Sequence, residues 1–160
     1  MKRNLHWKFS DTDKCPLCTT SVEDRAHILL CKDELAVSNR DKLLIALKND
    51  FIKIHTDPFL ANHIIRILRQ FHSGVPVSKI ESENYSSKIE HYRNQLFNII
   101  IDNGVDNLLS GVITADFSDI QQHHIDDNEL NNVTHITKWN RSFIHLILDY
   151  TNNLWLYRCT

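Results

Sequence analysis

Cys15-Pro16-Leu17-Cys18, followed after eight residues by His27-Ile28-Leu29-Leu30-Cys31, brings three of the chain's four cysteines and one imidazole into a single short stretch. A Cys-x2-Cys pair makes a tight turn that aims two thiolates at one point, while His27 and Cys31, four apart, share one face of a helix. Three thiolates and an imidazole fill a closed tetrahedron with no position open to water. The expected cofactor is therefore one structural Zn2+ held by Cys15, Cys18, His27 and Cys31. Such an ion would also contribute folding energy to a segment too short to hold itself. The competing reading makes Cys15 and Cys18 incidental small residues and lets His27 and Cys31 simply line a helix; the two spacings at one location favour the metal. A redox Cys-x-x-Cys fits less well, because the flanking sequence lacks the βαβ pattern that sets such a pair at a helix N-terminus.

Other reactive residues carry less. His123-His124 with Asp126 and Asp127 suggests a second metal site, but adjacent residues on a helix point about 100° apart and cannot both face one ion without a local break. Asp102 with Asp106, and Asp116 with Asp119, have helical spacing yet lie on polar faces, where solvated acids normally sit. No nucleophile stands in a recognisable Ser/His/Asp or Cys/His context, so the expectation is a protein without catalytic activity of its own. Trp139, Phe143, Tyr150 and Trp155 fall at helical spacing inside an apolar stripe and read as packed core before they read as a stacking platform for bases. Cys159, far from the other three, reads as a thiol outside the site.

These residues need elements to position them. Residues 1–14 form an arm leading into the turn at 15–18, and Asp24 lies near the start of the helix that carries His27 and Cys31, where a carboxylate suits the exposed N–H groups. Over 33–54 the apolar residues Leu35, Leu43, Leu44, Leu47, Phe51 and Ile54 recur at helical spacing. Asp57-Pro58 starts a second long helix with Phe59, Ile64, Ile65, Leu68 and Phe71 as its stripe, stopped by Ser73-Gly74-Val75-Pro76. A polar connection is expected over 77–87, then a helix over about 86–101 burying Ile89, Tyr92, Leu96, Ile99 and Ile100, ended by Asn103-Gly104. Leu108, Leu109, Val112, Ile113, Phe117 and Ile120 make a weaker pattern over 105–125, one bent helix or two short ones broken near Gly111. A polar loop over 126–132 precedes the most hydrophobic helix, 133–157. The predicted fold is mainly α: a zinc knuckle with its N-terminal arm over 1–32, then a helical domain of about five helices over 33–160.

Composition agrees. The 160 residues include only three glycines and three prolines, too few for a turn-rich β protein. Hydrophobic residues at 42% and charged residues at 24% suit a globular chain with a real core. A formal charge of −2 gives no global attraction to phosphate, so any nucleic-acid contact must be local. The local candidate is the start of the chain, where Lys2, Arg3 and Lys8 are interleaved with His6 and Trp7. No stretch approaches the ~20 apolar residues of a membrane span and no apolar signal-peptide core is present, so the expectation is an intracellular protein, cytoplasmic or nuclear, with no membrane partner. A reducing compartment fits cysteines used as ligands.

The run from Cys15-Pro16-Leu17-Cys18 through Glu23-Asp24-Arg25-Ala26-His27-Ile28-Leu29-Leu30-Cys31 resembles the zinc-binding region that follows the polymerase domain in reverse transcriptases of non-LTR retrotransposons. There a Cys-Pro-x-Cys knuckle precedes a Glu-Thr-x-x-His helix ending in Cys. Here Glu23-Asp24 stands at Glu-Thr, and His27 to Cys31 is one residue shorter than the commoner spacing. Residues 101–113 are similar to a segment of retroelement-derived proteins, with Val105 in place of its Trp, and Leu154-Trp155-Leu156-Tyr157-Arg158 matches a Leu-Trp-x-x-Arg-Asn ending, with Cys159 in place of Asn. The resemblance implies the C-terminal piece of a retroelement protein without a polymerase. It further implies RNA or DNA handling through the knuckle and the nearby basic residues Lys8, Lys14, Arg25 and Lys32, with a single strand as the expected partner. On that reading Lys2, Arg3, Lys8, Lys14 and Arg25 form one nucleic-acid-binding surface. The alternative is a zinc-stapled helical module whose partner is a protein.

Overall fold

The structure, a computed structural model, describes residues 13–76 and 88–159, and the side chains of all of these but 88–94, 97, 158 and 159. Lys2, Arg3, Lys8, the expected connection over 77–87 and the side chains of Ile89, Tyr92 and Cys159 lie outside that description. The fold is mainly α, as the periodicities predict. The five long helices are α2 (Glu34–Lys53), α3 (Pro58–Ser73), α4 (Lys88–Asn103), α6 (Ala115–Asp127) and α7 (Ile136–Cys159), with the short α1 (Arg25–Leu30) ahead of them and the short α5 (Val105–Leu109) between α4 and α6.

Local chemistry sets the helix ends. Asp24, Asp33 and Asp57 each cap the helix that follows, accepting from the N–H groups of His27, Leu35 and Leu60 at 2.7, 3.0 and 2.9 Å. Pro58 occupies the first turn of α3, and Gly74, left-handed at φ 72°, closes it with its N–H on the Phe71 carbonyl. Gly104, at φ 83°, separates α4 from α5 where Asn103-Gly104 marks a stop.

The central layer is α2 against α3 and α7, and α1 sits on α3 and α7. Phe51 of α2 stacks on Phe143 of α7 with ring centroids 5.2 Å apart, and Trp139 and Phe117 close on Phe143 at 4.8 and 5.7 Å. Trp139, Phe143 and Tyr150 are thus core, and the Trp139 indole N–H is satisfied by Thr56 Oγ1 at 3.1 Å. Ile28 and Leu29 of α1 belong to the same core as Leu68 and Ile147, whereas Cys15 and Cys31 form a separate small cluster with Ala36.

Two details differ from the pattern reading, and a third settles an alternative that it left open. Leu35 and Val112 are exposed, because Leu35 leaves the buried line of Ala36, Arg40, Leu44, Leu47 and Phe51, and Val112 lies in the connection between α5 and α6. The polar stretch 126–132 is only partly loop: α6 continues through Asp127 and a 3-10 turn spans Leu130–Asn132. Between 105 and 125 the chain forms two helices, broken at Gly111.

Gly111 answers two constraints at once. Its φ of 78° disfavours an L side chain, and a Cβ there would meet Ile144 Cγ2 at 3.2 Å and Leu148 Cδ2 at 3.3 Å. Gly74 shares the positive φ but a Cβ would meet nothing within 4 Å. In denaturant melts, Gly74→Ala is expected to cost about 1 kcal/mol and Gly111→Ala about 2–3 kcal/mol, the excess being the steric part. Equal losses would show that α7 yields to the added methyl.

Candidate metal centre

The knuckle is built from a short antiparallel contact. Lys14 pairs with Val22, Glu23 N–H donates to the Asp13 carbonyl at 2.8 Å, and Cys15 N–H donates to the Ser21 carbonyl at 2.8 Å. The reversal passes through Thr19 at φ 56°, a left-handed residue whose N–H reaches back to the Cys15 carbonyl. This brings Cys15 and Cys18 to one side of the turn. Asp24 then starts α1, whose last turn carries His27 to the same side, and Cys31 ends it with its N–H on the His27 carbonyl at 2.7 Å.

Cys15, Cys18 and Cys31 Sγ and a His27 ring nitrogen all lie within 4.8 Å of one another. The Cys15 and Cys31 sulfurs are 4.0 Å apart, well beyond a disulfide bond, and Cys18 Sγ is 3.3 Å from His27 Nε2. Metal–sulfur bonds of about 2.3 Å in a tetrahedron set neighbouring sulfurs about 3.8 Å apart, so these separations suit one metal ion. Among the described residues this is the one such cluster of His, Cys, Asp and Glu.

The electrostatics favour a ligating thiolate. The Thr20 hydroxyl, 3.3 Å from Cys18 Sγ, with the Thr20 and Ser21 N–H groups and the Cys15 side chain, holds the Cys18 thiol down at about 5 against an ordinary 9.0, more than offsetting its desolvation. Cys15 and Cys31 are buried with Ala36 of α2, and Leu17 packs beside them.

Two residues outside the sequence-derived set hold the centre in place. Arg40 of α2, itself buried, donates from Nη2 to the Cys31 carbonyl. His72 of α3 bridges Leu29 and Tyr150: Nδ1 lies 2.8 Å from the Leu29 carbonyl and Nε2 2.6 Å from the Tyr150 hydroxyl. A neutral imidazole satisfies both by donating from Nδ1 and accepting at Nε2. Each had a sequence signal, since Arg40 interrupts the line Ala36, Leu44, Leu47, Phe51, and His72 follows Ile64 and Leu68 at four-residue spacing.

The expected basic surface is only partly within the described residues. Lys14 is exposed. Arg25 is turned to α5, donating to Ser110 Oγ at 3.0 Å and the Asp106 carbonyl at 3.4 Å, with the Asp106 carboxylate at 3.9 Å. His123 is exposed, whereas His124 Nδ1 lies 3.1 Å from Asn128 Nδ2 and 3.7 Å from Asp57 Oδ2; the two imidazoles share no site. Compared with known proteins, the chain matches no family model, no curated protein and no solved structure.

Burial first, and the Arg40 charge after it, hold His72 down at about 4 against an ordinary 6.5, the Leu29 carbonyl and Asp41 opposing in part. Burial likewise pushes the Tyr150 hydroxyl up. Above pH 6.5 the network costs nothing in protons. As pH falls below 6.5 the unfolded chain takes up a proton that folded His72 refuses until about pH 4. Stability should therefore drop by about 3 kcal/mol across that window. Urea melts from pH 7 to 4 should show this acid limb in the parent and a shallower one in His72→Phe; superimposable limbs would show that His72 is protonated in the fold.

Proposed function

We propose that the chain is a zinc-stapled, non-catalytic binding module of retroelement origin that handles single-stranded nucleic acid. What carries the reading is the convergence of four soft ligands on one point. Four protein donors complete a tetrahedron, so the ion has no vacant position at which to activate water, and its role is to clamp the knuckle to α1. Zinc is the ion of choice for three thiolates and one imidazole in a closed site. In retroelement reverse transcriptases the Cys-Pro-x-Cys and His…Cys elements resembled here lie beside nucleic-acid-handling machinery. Lys14 at the knuckle, and Arg69 on the outer side of α3, supply positive charge for phosphates. Lys2, Arg3 and Lys8 would extend that charge from the N-terminal arm.

A second reading, a protein-interaction module, is favoured by the outer side of α2. Val37, Ile45 and Ile52 are exposed there at helical spacing, with Asp41 and Lys48 between them.

Metal analysis of the purified chain should give one zinc per molecule. Cys18→Ser should lose it and about 3 kcal/mol of stability, and chelation should disorder the knuckle and α1 while α2–α7 still melt cooperatively. A metal-free protein whose melt ignores chelator would refute the staple. Fluorescence anisotropy with single-stranded RNA across a salt series should show affinity falling by a log–log slope of about −0.7 per phosphate contact. Absence of binding at low salt would remove the nucleic-acid role and leave the protein partner.

A further inference from the structure

The buried line of α2, from Ala36 to Phe51, faces the core, and a second line runs beside it on the solvent side. It consists of Val37, Asp41, Ile45, Lys48 and Ile52, at steps of four, four, three and four, which make one stripe about 22 Å long. Val37, Ile45 and Ile52 are 40%, 59% and 63% exposed, so branched apolar side chains stand in water at both ends of the stripe and in its middle. Asp41 and Lys48 are exposed too, and their side chains form no hydrogen bond or ion pair among the described residues. Three and four positions away from them along α2 lie Val37, Ser38, Leu44, Ile45, Phe51 and Ile52, none of them charged. About 10 Å of helix separates the two from each other. Asp50 and Lys53, by contrast, pair with each other at 2.7 Å.

Turned end for end, the stripe complements itself. Val37 and Ile52 share a midpoint between Leu44 and Ile45, and so do Asp41 and Lys48. A two-fold axis through that point, perpendicular to α2, lays Val37 of each copy on Ile52 of the other and each Asp41 against the other's Lys48. The two Ile45 side chains then flank the axis. A parallel pairing would instead set acid on acid and base on base, and like charges repel. We propose that the outer stripe of α2 is a homodimer interface, in which a second copy of this chain packs antiparallel through Val37, Ile45 and Ile52 and two Asp41–Lys48 ion pairs fix the register. This pairing rests on the reading of α2's outer side as a protein-contact surface and names the partner. Charge complementarity selects a second copy, because one acid and one base placed symmetrically about the centre of an apolar stripe match that same stripe reversed. A single helix face of this length buries well under the ~1,000 Å² of a stable interface, so the dimer exchanges, with a dissociation constant of about 10–300 μM.

Sedimentation velocity and NMR of the full chain, from about 10 μM to about 1 mM, should show a reversible monomer–dimer equilibrium, with the largest concentration-dependent shifts at Val37, Ile45 and Ile52. In a mixture of isotope-labelled and unlabelled chains, filtered NOE spectra should join the Val37 methyls of one copy to the Ile52 methyls of the other. Ile45→Lys sets two like charges at the centre and should weaken the dimer at least about tenfold, while the dilute monomer melts within about 2 °C of the parent because the site is exposed. Asp41→Lys or Lys48→Asp alone should weaken the dimer about fivefold or more, each change acting twice by symmetry. The two together restore both ion pairs in the antiparallel register alone, and should bring the affinity back to within about threefold of the parent. A chain that stays monomeric at about 1 mM would overturn the self-association and leave α2 to a different protein. A dimer indifferent to Ile45→Lys would overturn the proposal and, with it, the reading of α2 as a contact surface. Single charge variants that associate like the parent, or a double variant that does not recover, would overturn the antiparallel register and so the proposal.

Discussion

Leu29 offers its carbonyl in the last turn of a helix too short to persist alone, and the His72 imidazole takes it up. Through Nε2 the same ring accepts the Tyr150 hydroxyl, so one buried side chain of α3 ties α1 to α7. Arg40 adds a second hold on the next carbonyl but one, that of Cys31. Ile28 and Leu29 contribute roughly 1.5–3 kcal/mol each by burial, which is enough to dock six residues but indifferent to their rotation. The hydrogen bonds fix that rotation. If α1 turned about its axis, His27 would swing away from Cys18 and the four ligand atoms would no longer meet.

The ligand set depends on backbone donors as much as on side chains. Thr19 adopts a left-handed conformation, and the turn it makes delivers the Thr20 and Ser21 N–H groups to the Cys18 sulfur. The strain of a threonine at positive φ is thereby offset by stabilisation of the thiolate. Hydrogen bonds to the sulfur from its own turn favour the charged form that a metal requires. The knuckle and α1 are thus two short pieces, each marginal alone, whose joint geometry is held by the bundle beneath them.

Polar groups elsewhere are used for joining elements. Asp57 caps α3 with one oxygen, donates its N–H to Gln121 Oε1 and lies near His124 with its other oxygen, while Gln121 Nε2 donates to the His55 carbonyl. That set stitches α6 to the corner between α2 and α3. It also accounts for His124 without a metal: the imidazole is drawn inward beside a structural carboxylate while adjacent His123 faces water. The aromatic residues of α7 follow the same logic, with Phe143 sandwiched between Phe51 and Trp139 and so unable to stack on a ligand.

Spacing alone determined a good deal. The ligand quartet, the caps Asp24 and Asp57, the stops at Gly74 and Gly104, and the core aromatics of α7 all follow from local rules: two-residue spacing across a turn, four-residue spacing on a helix, and side-chain oxygens competing for unpaired N–H groups. Periodicity was weaker where polarity and helicity parted company, as at 126–132, and where an apolar residue such as Leu35 lay beside the buried line instead of on it. Only tertiary structure decided that Arg40 and His72 brace the segment carrying the Cys/His cluster, and that Arg25 turns to α5. Each of these joins residues far apart in sequence, the His72–Tyr150 bond spanning 78 positions. A side chain's partner at that distance is set by how helices pack, and no local pattern encodes it.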